Sequence, residues 1–146
     1  MRELKFRVWN NEIKKYDPCF YPIFSYSYNS ELKEKTGYCQ IIGMHDDNNH
    51  EQLIEDNMVN FEEYIGRKDN NGKEIYRGDI VEIEFTYIFG ELLKRRGEIK
   101  YSNKYAQYYI KIYNDDYLSQ LDFNFIFESI KIIGNINENF KLSQEV

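Results

Sequence analysis

Phe61-Glu62-Glu63-Tyr64-Ile65-Gly66-Arg67-Lys68-Asp69-Asn70-Asn71-Gly72-Lys73-Glu74-Ile75-Tyr76-Arg77-Gly78-Asp79-Ile80-Val81-Glu82-Ile83-Glu84-Phe85 is the stretch that decides the fold. Asp69-Asn70-Asn71-Gly72 is a turn by its chemistry. Asn tolerates the left-handed backbone region, and Gly enters it without steric cost. The turn separates two strand-like runs, so residues 61–68 and 73–76 are expected to pair as a hairpin. Arg77-Gly78-Asp79 turns again, and the Asp79 carboxylate is expected to accept local backbone N–H groups. In residues 80–85, Val81, Ile83 and Phe85 alternate with Glu82 and Glu84. That period gives a strand with one buried and one wet face.

The rest of the chain repeats this style. Residues 4–9 alternate apolar and charged, Asn10-Asn11-Glu12 turns, and residues 13–16 read as the returning strand. Asp17-Pro18 stops it, because Pro has no N–H to donate and restricts the residue before it. Residues 20–28 and 38–44 read as strands, with a polar loop over 29–35. Residues 94–101, 105–113 and 130–136 read as further strands. Residues 118–127 are ambiguous between strand and short helix. Gln52-Leu53-Ile54 has the look of a helical turn.

Composition points the same way. Aromatic residues make up 17% of the 146, with 14 Tyr and 10 Phe, and the sole alanine is Ala106. Aromatic and β-branched residues favour strands, and alanine is the best helix former, so sheet is favoured. The chain is long enough to bury a core without staples. Cys19 and Cys39 are its two cysteines, and the start lacks an apolar signal segment. Two reduced thiols in a bacterial host cytoplasm are expected, with no disulfide and no membrane span.

Three segments together resemble the phage and prophage YopX family. Phe6-Arg7-Val8-Trp9-Asn10 is similar to its "FRxWD" opening. Residues 64–81 are similar to "YTGLKDKNGKEIYEGDIV", and residues 132–139 to the closing "VIGNIYEN". The departures are Asn10 for Asp, Ile65 for Thr, Arg67 for Leu and Phe140 for Pro. The resemblance covers residues 1 to about 141. It implies a phage setting and an SH3-like small barrel in the C-terminal part. It implies no established activity and no binding residues to carry across.

The expected architecture is all-β, or β-dominated α+β. Residues 74–146 are expected to form the SH3-like barrel lobe. Residues 1–73 supply packed N-terminal strands and an acidic loop.

The residues bear on several chemistries. Gly66, Gly72 and Gly78 sit at expected turns, and Gly72-Lys73-Glu74 lacks the hydroxyl of a phosphate loop. His45 and His50 bracket Asp46-Asp47-Asn48-Asn49, but zinc and EF-hand sites need other spacings. No nucleophile elbow is present. The reading is therefore of no enzyme, no metal and no cofactor.

Two binding classes remain, besides a third, a small-molecule binder whose Tyr-lined cleft stacks a nucleotide base, which nothing in the sequence demands. Asp46, Asp47, Glu51, Glu55 and Asp56 lie in a stretch, residues 45–63, with no Lys or Arg. That stretch suits a basic protein partner, from host or phage, and mimicry of a nucleic-acid backbone to block a host or defence factor. Tyr-rich sheet edges also suit a homo-oligomer. The alternative is a nucleic-acid module on residues 94–113, using Lys94, Arg95, Arg96 and Tyr108. The net charge of −6 weighs against a broad phosphate-binding surface.

Overall fold

The computed structural model describes residues 4–17, 20–29, 34–45, 50–54, 59–139 and 141, with backbone alone for residues 20–54. The described chain forms two units. Residues 6–62 make the smaller one; residues 1–5 and 63–146 make the larger. Residue 74, where the sequence places the start of the barrel lobe, lies inside the larger unit.

In the smaller unit, β1 (Phe6–Asn10) pairs antiparallel with β2 (Lys15–Tyr16). The Asn10 side chain accepts the N–H groups of Glu12 and Ile13, which closes that hairpin. β3 (Phe20–Asn29), β4 (Glu34–His45) and β5 (His50–Ile54) form a three-stranded antiparallel sheet. Gln52-Leu53-Ile54 is therefore strand rather than helical turn, paired to β4 through Ile42↔Leu53 and Ile41↔Ile54. The acidic region is not one loop either. β5 occupies part of it, and β6 (Val59–Lys68) takes its end.

Glu62 on β6 is buried, against expectation for a solvated acid. Arg7 Nε donates to its Oε2 at 2.6 Å, and the Tyr16 hydroxyl at 3.0 Å. The Arg7 guanidinium also lies 4.5 Å from the Tyr16 ring centroid, and Trp9 meets that ring edge-on at 5.0 Å. A buried carboxylate is tolerable only when paired in this way.

The larger unit begins where β6 continues and pairs with β7 (Glu74–Tyr76), with a bulge between Tyr64 and Lys68. Then come β8 (Asp79–Thr86), β9 (Leu92–Ser102), β10 (Gln107–Ile112), β11 (Gln120–Asp122) and β12 (Ser129–Asn135). Residues 118–127 thus resolve into a short strand followed by turns. The five strands order β11-β10-β9-β8-β12. A four-strand meander whose fifth strand returns to the first is the connectivity of small SH3-like barrels. The sheet curls into a half-barrel, so the β-dominated fold class stands. Among the described residues there is no α-helix, and no helix long and apolar enough to cross a membrane.

The core lies on the inner face of this sheet. Val81, Ile83, Phe85, Ile99, Ile110, Ile112 and Leu121 meet Ile75 there. Gly97 faces β10 so closely that a Cβ would come within 2.6 Å of Ile110 Cγ2 and the Lys111 carbonyl oxygen. A side chain at that position would push the two strands apart.

The Asp69 turn locks onto this frame. Gly72 takes φ +79°, as the turn requires. The buried Asp69 carboxylate accepts N–H groups from Asn71 (2.9 Å), Lys73 (2.9 Å) and Ile132 (3.1 Å). Asn70 exchanges two more bonds with Ile130. Burial alone would raise the Asp69 pKa. The N–H bonds of Ile132, Lys73 and Asn71 and the Lys73 charge outweigh it and hold the carboxyl below its ordinary 3.8. Asp79 behaves as the sequence suggests, accepting the Tyr76 N–H at 2.8 Å.

Replacing Asp69 with Ala strands three N–H groups. Urea unfolding is expected to show a loss of about 3 kcal/mol, since each unsatisfied buried group costs roughly 1–3. A loss under about 0.5 kcal/mol would contradict the pinning role. Because the folded pKa is depressed, Asp69's contribution is complete above 3.8 and is lost as pH falls through the lower folded value. The difference between native and Asp69→Ala stability is expected to shrink in that acid window.

Candidate functional site

The outer face of the five-stranded sheet is where sequence reasoning places the basic residues. Cross-strand register decides what they meet. Glu82 stands opposite Arg96, and Glu84 opposite Lys94. On the other side Lys131 stands opposite Glu82. Lys94 Nζ lies 3.0 Å from Glu82 and 3.9 Å from Glu84; Arg96 Nε lies 3.5 Å from Glu82. Lys100 lies 3.7 Å from Glu98. The hydrogen bond from Lys94 is the main cause that holds Glu82 below its ordinary pKa, against the opposing effect of burial. Opposite charges on neighbouring strands give a ladder that stabilises the sheet and neutralises itself.

Arg95 points the other way, toward the inner face. It donates to Asp115 at 2.8 Å and to the Lys94 carbonyl. Asp115 also accepts the N–H groups of Tyr117 and Leu118, so this pair ties down the β10–β11 connection. The Arg95 hydrogen bond, seconded by that of Leu118, holds Asp115 below its ordinary value. The Tyr108 hydroxyl bonds the Glu63 carboxylate. Thus Lys94 and Arg96 share the outer face, Arg95 lies on the inner one and Tyr108 pairs with Tyr101 toward the far end of the sheet, and each meets a carboxylate.

Asp46, Asp47, Glu55 and Asp56 lie outside the described residues, as does the side chain of Glu51 on β5. The same holds for Cys19 and for the side chains of Cys39, His45 and His50. His45 and His50 are backbone partners across β4 and β5.

The feature that sequence reasoning missed is the β8–β9 hairpin tip. The two strands stay in register up to Thr86↔Leu92. The loop is closed by Tyr87 N–H to Glu91 O at 2.8 Å and by Gly90 N–H to Tyr87 O at 3.1 Å. On this rigid stalk Tyr87, Ile88, Phe89 and Leu92 are all exposed. Phe89 is fully exposed, at φ +70° and ψ 15°. The left-handed region costs a residue with a Cβ roughly 1–2 kcal/mol. Exposed Ile126 sits in the loop that returns beside the hairpin's base, where Glu128 N–H meets Glu84 O at 2.8 Å. Glu91 in the loop and Glu128 beside the hairpin's base supply carboxylates near this apolar tip.

The sequence carried one signal. Tyr87-Ile88-Phe89-Gly90 is an apolar run where a tight connection between amphipathic strands should be polar. Elsewhere, Tyr113 carries a buried hydroxyl with no hydrogen-bond partner among the described residues. Burial, and then the Glu98 charge, push its pKa well above the ordinary value.

Exposure and backbone strain at one aromatic residue give a stability prediction. Phe89→Gly is expected to stabilise the isolated protein by about 1 kcal/mol, read by thermal or urea unfolding, because Gly adopts this backbone freely. A loss of stability would mean that the Phe89 ring packs on something and that its conformation is not strained.

The model of the YopX protein family matches residues 5–143. No curated protein matches the chain. The solved structure of protein EF1440 from Enterococcus faecalis is similar over 98% of this chain and 99% of that one. The TM-score is 0.58 at 18% identity, a likeness of fold.

Proposed function

The chain belongs to the YopX family, a phage-type accessory protein, and from that premise we propose that it is non-catalytic and works by binding a protein, a host or anti-phage defence factor that it inhibits. The exposed, strained Phe89 at the hairpin tip carries this reading. An aromatic ring held in water at a cost in backbone energy is a recurring mark of contact sites. The stalk is rigid, so little conformational entropy is lost on docking. The apolar tip beside Glu91 and Glu128 fits an apolar pocket with basic residues at its rim. The acidic residues Asp46, Asp47, Glu51, Glu55 and Asp56 belong to the same proposal, as a second basic-partner surface.

The nucleic-acid alternative has weaker support. Backbone binding draws its affinity from cations free to replace counterions. Lys94, Arg95 and Arg96 each already face a carboxylate within 3.5 Å.

The test is capture from host lysate with nuclease present, comparing the native chain with Phe89→Asp. A stoichiometric protein is expected with the native chain and is lost with the variant, whose melting temperature stays within a few degrees. Equal capture by both, or recovery of nucleic acid alone when nuclease is omitted, would overturn the proposal.

A further inference from the structure

Asn71-Gly72 is the one place in the 146 residues where an asparagine precedes a glycine. The pairing matters chemically as well as conformationally. A backbone nitrogen can attack the side-chain carbonyl carbon of the asparagine before it, closing a five-membered ring. A side chain on the attacking residue hinders this, and glycine has none. The surroundings of the pair are open. Asn71 and Gly72 are both exposed, and no atom lies within 4 Å of where a Gly72 Cβ would stand. The Asn71 side-chain amide makes no hydrogen bond among the described residues. Asn70 differs on both counts: its Oδ1 accepts the Ile130 N–H at 2.7 Å, and Asn71 follows it.

What restrains the pair is Asp69. The N–H groups of three successive residues point at it. Those of Asn71 and Lys73 reach Oδ1 at 2.9 Å each, and that of Gly72 reaches the Asp69 carbonyl oxygen at 3.0 Å. The Asp69 N–H returns a bond to the Lys73 carbonyl at 2.8 Å. The nitrogen that must attack is thus the middle one of a pinned row. Ring closure needs its proton removed and the nitrogen turned onto the Asn71 side chain, so it waits until the turn opens. Base speeds the removal. The lock holds there too, because the Asp69 carboxyl, with its lowered pKa, stays ionised.

We propose that Asn71 is a site of spontaneous modification, conversion to aspartyl and isoaspartyl residues, and that opening of the Asp69 turn sets its rate. The Gly72 nitrogen bonds to Asn71 Cγ. The Cγ–Nδ2 bond breaks, and ammonia leaves with the Gly72 proton. Water then adds to one of the two ring carbonyls. If the bond from the ring nitrogen to Cγ breaks, an aspartyl residue results. If the bond to the main-chain carbonyl breaks, the product is isoaspartyl, with an extra methylene in the backbone. No oxidant, metal or enzyme enters.

Both products weaken the fold at its pinning point. A new carboxylate stands beside that of Asp69, and the two like charges compete for the same N–H groups. The longer isoaspartyl backbone no longer lets the N–H groups of residues 71 and 73 meet Oδ1 together. The bond from the Ile132 N–H to Asp69 Oδ2, at 3.1 Å, weakens with them, and it ties β12 to the turn. The change is one-way, so an aged chain is less stable than a new one.

The test follows the mass change of amide to acid, located by peptide mapping, with enzymatic methyl labelling of isoaspartyl residues. The full chain is held at mildly alkaline pH, both folded and unfolded in guanidinium chloride. Hydrogen exchange of the Gly72 amide is measured in the folded sample. The unfolded chain is expected to convert at Asn71 before any other asparagine. The folded chain is expected to convert more slowly, by the factor that protects Gly72 from exchange, because both reactions need the same opening. Asp69→Asn keeps an oxygen at the site but not its charge, and is expected to speed conversion of the folded chain about tenfold. Aged protein, separated by charge, is expected to melt several degrees below fresh protein. Equal rates in folded and unfolded chains, first conversion at another asparagine in the unfolded chain, Asp69→Asn without effect, or an unchanged melting temperature would each overturn the proposal. Should Asp69→Asn not fold, the comparison of conversion with exchange in the native chain decides by itself. The Phe89 capture result is independent of all these outcomes.

Discussion

The Asp69 carboxylate is the constraint on which the larger unit depends. One oxygen organises the turn through Asn71 and Lys73, and the other reaches Ile132 on β12. A local turn is thereby bonded to a strand more than sixty residues away in sequence. β12 pairs with β8, β8 pairs with β9, and those two strands form the stalk of the exposed hairpin. Such closure of long loops is costly in entropy, and short, satisfied bonds at the closing point offset it. The strain at Phe89 can be held because the frame beneath it is fixed on both sides.

The same sheet presents two kinds of surface. The ladder of Glu82, Glu84, Lys94 and Arg96 spends its charges on itself. It is soluble, specific in register, and has little left for a partner. The tip of residues 87–92 closes on its own backbone but leaves its side chains exposed. Its apolar side chains make no core, and its backbone is strained. A surface that costs the free protein and gives it no packing is best understood through what it meets.

Much of the fold was legible in the sequence. The Asn-Gly turn, the alternation of Val81, Ile83 and Phe85, and the Asp79 cap are local signals, written within a few residues of their effects. The strand at residues 50–54 was misread because a five-residue run of mixed polarity has no clear period; pairing with β4 settled it. Glu62 read as solvated because its partners, Arg7 and Tyr16, are remote in sequence. The basic cluster of residues 94–96 was visible, but its neutralisation by Glu82 and Asp115 depends on register and on a loop. The hairpin tip was overlooked between two clear strands, since an apolar run in a turn resembles strand continuation. A Tyr-lined surface was legible in residues 101–113, but which side chains meet there was not, because pairs such as Tyr109 and Asp122 come together only through strand pairing.

The most direct measurement is site-specific photo-crosslinking in host lysate, with a photoreactive residue at position 89 and, as control, at position 96 on the ion-paired face. The account predicts one discrete protein adduct from position 89 and none from position 96. Adducts of equal yield from both positions, or an adduct to nucleic acid from position 96 alone, would contradict it.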